Sequence, residues 1–351
     1  MTALTTRTTA PATASPPPAA PPAPGPDHPD HPHGPAGQTG LQAMPRLTTT
    51  VPRQYVHRAC HAEVFLTGCE KTGDDRYTLT GEWPRMHSFF TSTDGRRHEI
   101  LQAAETIRQT GLFLAHAEYD VPLDHHFLLS HLHVNTHTEN MLIQHGPSEL
   151  TLTATCTDTV RKGRRLAQFT MHITIERNGR PCATGGGRFT CISPAAYHRI
   201  RGTTPTPTPH TRTHPHHTLP PTTVGKNTPT DVVLATDPTT HHPGHWLLDP
   251  DPRHPTLFDH TGDHYPGMVL LEAAHQATTA LTTPTHPTHT SINAHFHHYA
   301  ELTTPLHIHA TPHPHATPHT TTHTTTHTTT HITGHQQNNT IFTATITTTP
   351  Q

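Results

Sequence analysis

Pro266-Gly267-Met268-Val269-Leu270-Leu271-Glu272-Ala273-Ala274-His275-Gln276 is an apolar, helix-like run with one carboxylate set inside it. A similar run occurs earlier: His98-Glu99-Ile100-Leu101-Gln102-Ala103-Ala104-Glu105-Thr106-Ile107-Arg108-Gln109. In each, the glutamate (Glu105 or Glu272) is followed three positions later by a cationic or ionisable residue (Arg108 or His275), and then by glutamine. A carboxylate on the apolar side of a helix is costly to bury without a partner or a chemical task. Two occurrences point to a duplicated unit, with a site in each half or a site in one half and a relic in the other.

Outward from these runs, the same order of elements is read twice. A helix is expected over 99–116, because Ile100, Ala104, Ile107, Gly111 and Leu114 recur at three- and four-residue steps. Strands are expected before it at 62–66 and 77–80, and after it at 127–129, 149–154, 167–175 and 186–191. Arg177-Asn178-Gly179 is a hairpin signal between the last two. The second half shows a short apolar strand at 231–235, the Glu272 helix, and weak strands to the C-terminus. One long helix on an antiparallel sheet is an α+β layer architecture. Two such units in tandem, over 51–195 and 222–351, are expected to pair their sheets as an internal pseudo-dimer. Thr, Pro and His dominate 202–221, which reads as a linker. Residues 1–48 are Pro-, Ala- and Thr-rich and read as a disordered tail.

Composition narrows the function classes. The chain has 351 residues and a formal net charge of -3, which gives no global field toward nucleic acid or an anionic membrane. No apolar run is long enough to span a bilayer, and 1–44 lacks the apolar segment of a signal peptide. Five cysteines without CxxC spacing read as a reducing, cytoplasmic setting. The chain is low in charged (13%) and hydrophobic (30%) residues and carries 41 His and 38 Pro. The C-terminal strands are therefore expected to have a thin core, and the second half to be marginally stable. His-Thr repeats over 313–331 invite a metal-binding reading. Biased codon usage explains the same composition without any role for imidazole.

The chain resembles the actinobacterial A-factor (γ-butyrolactone) biosynthesis proteins of the AfsA type, built from two hotdog domains. In the first half the resemblance rests on Trp83-Pro84-Arg85-Met86-His87, Glu105-Thr106-Ile107-Arg108-Gln109, Leu114-Ala115-His116 and Val121-Pro122-Leu123. In the second it rests on Val224-Gly225-Lys226, Asp231-Val232-Val233-Leu234, His254-Pro255-Thr256-Leu257-Phe258-Asp259-His260, the run from Asp263-His264-Tyr265 through Ala274, and Tyr299-Ala300-Glu301-Leu302. The resemblance implies a tandem, or double, hotdog fold. It also implies transfer of a β-ketoacyl group from an acyl carrier protein onto the hydroxyl of dihydroxyacetone phosphate, with no metal or other cofactor. The second-half run is similar, too, to hotdog β-hydroxyacyl-carrier-protein dehydratases. A dehydratase, a thioesterase, or a catalytically degenerate ligand-binding paralogue are the competing readings.

Acyl transfer to an alcohol needs a polarised thioester carbonyl, a base, and a cation for the phosphate. Pro266 and Gly267 suit a helix start, and the amides near Gly267 and Met268 are oxyanion candidates. Glu105 and Glu272 are base candidates, because burial raises a carboxyl pKa; the bland alternative is a structural glutamate paired with a neighbour. Arg108 lies one turn from Glu105, either as its ion-pair partner or as a phosphate fork. His275 stands where the family pattern has arginine, and imidazole holds phosphate only when protonated. His260 and His264 are acid/base candidates, with Asp263 orienting one of them; the alternatives are Asp263 capping the helix and a loop metal site. His87 is the first-half counterpart of these histidines, and Arg85 is a candidate phosphate or pantetheine contact; both are expected among the substrate-binding residues.

Overall fold

Leu150, Leu152, Ala154 and Cys156 alternate with solvent-facing residues and turn one face of a strand to the core. The computed structural model describes residues 48–202, 217–240, 242–259, 262–283, 285, 287–314 and 327–350. In the first half, strands β1 (Leu66–Gly73) and β2 (Arg76–Trp83) precede helix α1 (Ile100–Ala117). Strands β3 (His126–Thr136), β4 (Ser148–Lys162), β5 (Arg165–Arg177) and β6 (Arg180–Ile192) follow it. Asn178 and Gly179 both adopt positive φ (54° and 69°), which turns β5 back into β6 as the hairpin signal predicts. Helix α1 is wrapped by this sheet so fully that every residue from Ile100 to His116 except Arg108 is buried. Each fully buried aliphatic side chain, such as Leu101, Ile107 or Leu114, contributes about 1.5–3 kcal/mol. Close packing of α1 on β6 requires glycine at 111, where a Cβ would come within 2.2 Å of the Phe189 ring.

The second half repeats the plan after a short helix, α2 (Pro194–Arg201), which the sequence reading omitted. Ser193 caps α2 through its Oγ, and Pro194 follows, a start signal that was present in the sequence. Strands β7 (Leu234–Thr236) and β8 (His245–Leu248), helix α3 (Gly267–Thr282), and strands β9 (Thr288–Phe296), β10 (His307–Pro314), β11 (Thr328–Gln336) and β12 (Asn339–Thr349) complete it. Among the described residues, twelve strands form one sheet in the order β1-β2-β4-β5-β6-β3-β9-β12-β11-β10-β8-β7. The halves join where β3 pairs antiparallel with β9, from His131 opposite His295 to Asn135 opposite Ser291. This is a double hotdog: two helices, each cradled by half of a continuous antiparallel sheet. Ile292, Ile308, Ile332, Phe342 and Ile346 belong to the same apolar cluster as the first-half core, so the second half does not rest on a core of its own.

Two expected strands are mostly something else. Residues His61–Glu63 and Pro229–Asp231 are single 3-10 turns, and the strands begin at Leu66 and Leu234. The physical reason is that the Phe65 and Val233 amides bond to a helix side chain, as described below, while their carbonyls still accept from the Glu82 and Asp249 amides, so only one side of this backbone follows a neighbouring strand. Helix α3 starts at Gly267 with Pro266 in the cap position, and no side chain caps it. Among the described residues, no helix is long and apolar enough to cross a membrane. The expected tail (save Thr48), linker positions 203–216, His260 and the tract 315–326 lie outside the described residues.

Candidate functional site

The two helix glutamines make the same three contacts. Gln109 accepts from the Phe65 amide (2.9 Å), donates to the Glu63 carbonyl (2.7 Å) and donates to Glu105 Oε1 (2.8 Å). Gln276 accepts from the Val233 amide (2.9 Å), donates to the Asp231 carbonyl (2.7 Å) and donates to Glu272 Oε1 (2.7 Å). Each glutamine thus pins the segment leading into its half and steadies the buried glutamate. A cation comes from five residues before each segment: Arg58 before Glu63, and Lys226 before Asp231. Each cation follows a residue in left-handed backbone, His57 (φ 52°) and Gly225 (φ 68°) respectively. Neither cation is a candidate site residue from the sequence, where Lys226 enters only within the Val224-Gly225-Lys226 stretch, because its partner is remote in the chain.

The copies diverge in how the glutamate is held. Glu105 is clamped on both oxygens. Arg58 reaches Oε1 at 2.6 Å, and Arg108 forks onto Oε2 and Oε1, each at 2.8 Å. Burial alone would raise this carboxyl, but Arg108 and Arg58 outweigh it and hold it down to about 2. Arg58 also reaches across to the second half, donating to the Thr256 carbonyl (2.8 Å). The surroundings are filled: His57 meets His116 at 2.8 Å between ring nitrogens, and Phe127 packs edge-on against both rings.

Glu272 is fully buried, and among the described residues a single cation lies beside it, Lys226 at 3.1 Å. That lysine also pairs with Glu99 Oε2 at 3.2 Å and sits over the Phe89 ring, both from the first half. One ammonium between two carboxylates leaves a surplus negative charge. Burial is the main cause that pushes Glu272 up to about 7; Lys226 opposes the rise and the Glu99 charge adds to it. Glu99 is raised by burial as well, with Lys226 opposing. Among the described residues, Glu272 Oε2 and His275 Nδ1 have no hydrogen-bond partner. His275 packs against His289 with ring centroids 3.9 Å apart and the rings tilted by 33°. Burial, with His289 and Lys226 nearby, holds His275 well below the ordinary imidazole range. A cavity opens beside His275, lined by Gly225, Glu99, His275, His289, Arg97 and Thr279 among others; Glu272, His264, Gly267 and Met268 do not line it. Gly225 and His275 occupy the places that His57 and Arg108 take in the first half, so smaller side chains leave room here.

The family model described as the A-factor biosynthesis hotdog domain matches residues 40–193 and 208–351. The chain belongs to the AfsA family. It is 44% identical over 278 residues to the 2-oxo-3-(phosphooxy)propyl 3-oxoalkanoate synthase of Streptomyces virginiae, covering 77% of this chain and 90% of that protein. It is 35% identical to the enzyme of the same name from Streptomyces coelicolor, over 75% of this chain and 82% of that protein.

The remaining candidates of this AfsA family chain fall in other places. His87 Nδ1 accepts from the Phe89 and Phe90 amides, and its Nε2 lies 3.4 Å from Glu63. The histidine that repeats this pattern in the second half is His254, not His264: its Nδ1 accepts from the Thr256 and Leu257 amides and its Nε2 faces Asp231 at 3.1 Å. Both buried histidines brace loops. Arg85 is exposed and does not line the cavity. Asp263 does not cap α3. It accepts from Tyr197 (2.6 Å) and from Arg201 on α2 (2.9 Å), and it orients His264 through Nδ1 at 2.7 Å. Burial would raise the Asp263 carboxyl, but these hydrogen bonds outweigh it and hold it far below the usual carboxylate range. Gly267 and Met268 open α3; a Cβ at 267 would meet Phe296 only at 3.7 Å, so close packing does not demand this glycine. Among the described residues, no group of three His, Cys, Asp or Glu side chains is placed to hold a metal ion.

Proposed function

We propose that this chain forms a 2-oxo-3-(phosphooxy)propyl 3-oxoalkanoate, moving a β-ketoacyl group from the thioester of an acyl carrier protein to a hydroxyl of dihydroxyacetone phosphate. The second half carries the reaction, in a cytoplasmic enzyme. The observation that carries this reading is the contrast between the glutamates. Glu105 is saturated with guanidinium donors, whereas Glu272 keeps an unpartnered oxygen and titrates at about 7. A base tuned near the working pH combines adequate basicity with an adequate ionised fraction.

In the reaction, Glu272 takes the hydroxyl proton as the oxygen attacks the thioester carbonyl carbon. The amides opening α3 at Gly267 and Met268 hold the developing oxyanion, helped by the positive end of the helix dipole. The carbon–sulfur bond then breaks, and the carrier thiolate takes up a proton. Gly267 and Glu272 are five residues apart, about 7.5 Å along the axis. Helical side chains lean toward the N-terminus, which brings the carboxylate closer to those amides. His264, oriented by Asp263 on the loop before α3, is the acid for the leaving thiolate in this reading.

The test is release of free carrier thiol from a β-ketoacyl carrier protein on addition of dihydroxyacetone phosphate. Glu272→Gln is expected to cut turnover roughly 10²–10⁴-fold, the usual worth of a general base. Equal turnover in the wild type and Glu272→Gln would reject the assignment. Thiol release that does not depend on the phosphate acceptor would instead mark a thioesterase.

A further inference from the structure

The acceptor of the proposed reaction carries a phosphate, yet the groups so far named offer it no free cation. Lys226 is spent on two carboxylates, and His275 is neutral. The other histidines of the cavity wall are no better: burial lowers His98 to about 4 and His289 to about 3. Arg97 is different. It lines the same cavity as His275 but comes from the first half, just before α1. Its side chain bridges the seam, donating from one guanidinium nitrogen to Thr288 Oγ1 at 2.8 Å at the start of β9. Among the described residues, no carboxylate lies within ion-pair distance of it. Asp94 also lines the cavity. Burial would raise its carboxyl, but hydrogen bonds accepted from the Ser92 hydroxyl (2.6 Å) and the Arg96 amide (3.0 Å), helped by the Arg96 and Arg97 charges, lower it; neither bond spends an Arg97 donor. A half-buried guanidinium with most of its five donors unspent, facing a cavity, is a ready fork for a phosphate monoester.

We propose that Arg97 binds the phosphate of the acceptor, supplying from the first half the guanidinium that position 275 of the second half lacks. The proposal rests on the acyl-transfer reading above and deepens it. It makes the catalytic half dependent on its neighbour, since neither half alone contains base, oxyanion site and phosphate cation.

Steady-state transfer to dihydroxyacetone phosphate and to unphosphorylated dihydroxyacetone, in wild type, Arg97→Met and Arg97→Lys full-length protein, tests it. Arg97→Met is expected to raise KM for the phosphorylated acceptor roughly 10- to 100-fold, the worth of charge-assisted hydrogen bonds. The preference for the phosphorylated acceptor should collapse in parallel, and Arg97→Lys should recover part of it. Calorimetric binding of dihydroxyacetone phosphate to the same three proteins gives a readout without turnover. Binding that depends on Arg97 in a wild type that transfers no acyl group would sink the reaction and keep the site. Transfer by the wild type with an unchanged KM in Arg97→Met would overturn the site and keep the reaction. Matching thermal unfolding of the variants excludes a trivial loss of fold.

Discussion

Lys226 and Glu272 form a buried ion pair at 3.1 Å in which the carboxylate still has a free oxygen. Their first-half counterparts, Arg58 and Glu105, are closer at 2.6 Å, and there Arg108 takes up the second carboxylate oxygen. One sequence pattern has thus produced one carboxylate held on both oxygens and one with a free oxygen, and the number of guanidinium groups around the carboxylate separates them.

The two glutamates should respond oppositely to pH. Glu272, raised from 4.5 to about 7, leaves the folded state holding more protons than the unfolded state between those values. Its stabilising contribution is full below pH 4.5 and is lost as pH rises through about 7, while the acyl-transfer rate rises over the same upper range as the base ionises. Glu105, lowered from 4.5 to about 2, contributes stability that is full above pH 4.5 and is lost as pH falls toward 2. Urea unfolding from pH 2 to 8 should show the acid-side loss disappear in Glu105→Gln and the neutral-side loss disappear in Glu272→Gln.

His275→Arg would recreate beside Glu272 the arrangement that Arg108 makes with Glu105. A guanidinium one helical turn away favours the ionised carboxylate. The midpoint of the pH–rate profile should therefore move down from about 7 by a unit or more. A midpoint that stays put would show that position 275 does not tune the base.

Arg58→Met should act on stability. It leaves a fully buried carboxylate short of one partner and breaks the link to the Thr256 carbonyl across the halves. Removing one member of a buried pair costs about 3–5 kcal/mol. Because the sheet and core run through both halves, the denaturation midpoint should shift as one transition for tryptophan fluorescence and circular dichroism alike; two separated transitions would contradict the shared core.

Gly225→His should close the cavity. The equivalent His57 adopts the same left-handed backbone, so the fold accommodates a side chain there at a cost of about 1–2 kcal/mol. A Cβ at 225 would sit 3.2 Å from Thr279 Cγ2, with the ring directed among the cavity residues. Loss of acyl transfer with a drop in Tm of only several degrees is the expected outcome. Undiminished transfer would place the substrate elsewhere.

Much of the architecture was legible because local patterns encode it. The three- and four-residue apolar steps of α1, the alternation in β4 and β5, and the Asn178-Gly179 turn each reflect a constraint between near neighbours. Segments 62–66 and 231–235 misled for the converse reason: one amide and one carbonyl of each are satisfied by Gln109 or Gln276, which lie more than forty residues away. Likewise His87 was matched to the histidines before α3, while its hydrogen-bond pattern pairs it with His254.

The sequence by itself determined the duplication, the double hotdog and the two glutamates as the points of interest, since periodicity and local motifs survive without knowledge of contacts. Only the tertiary structure decided which glutamate is free to act. That choice depends on charges brought together from remote positions: Arg58 onto Glu105 in one half, and Lys226 shared between Glu272 and the distant Glu99 in the other. A carboxyl pKa follows burial and the count of cations within a few ångströms, and chain order does not fix either quantity.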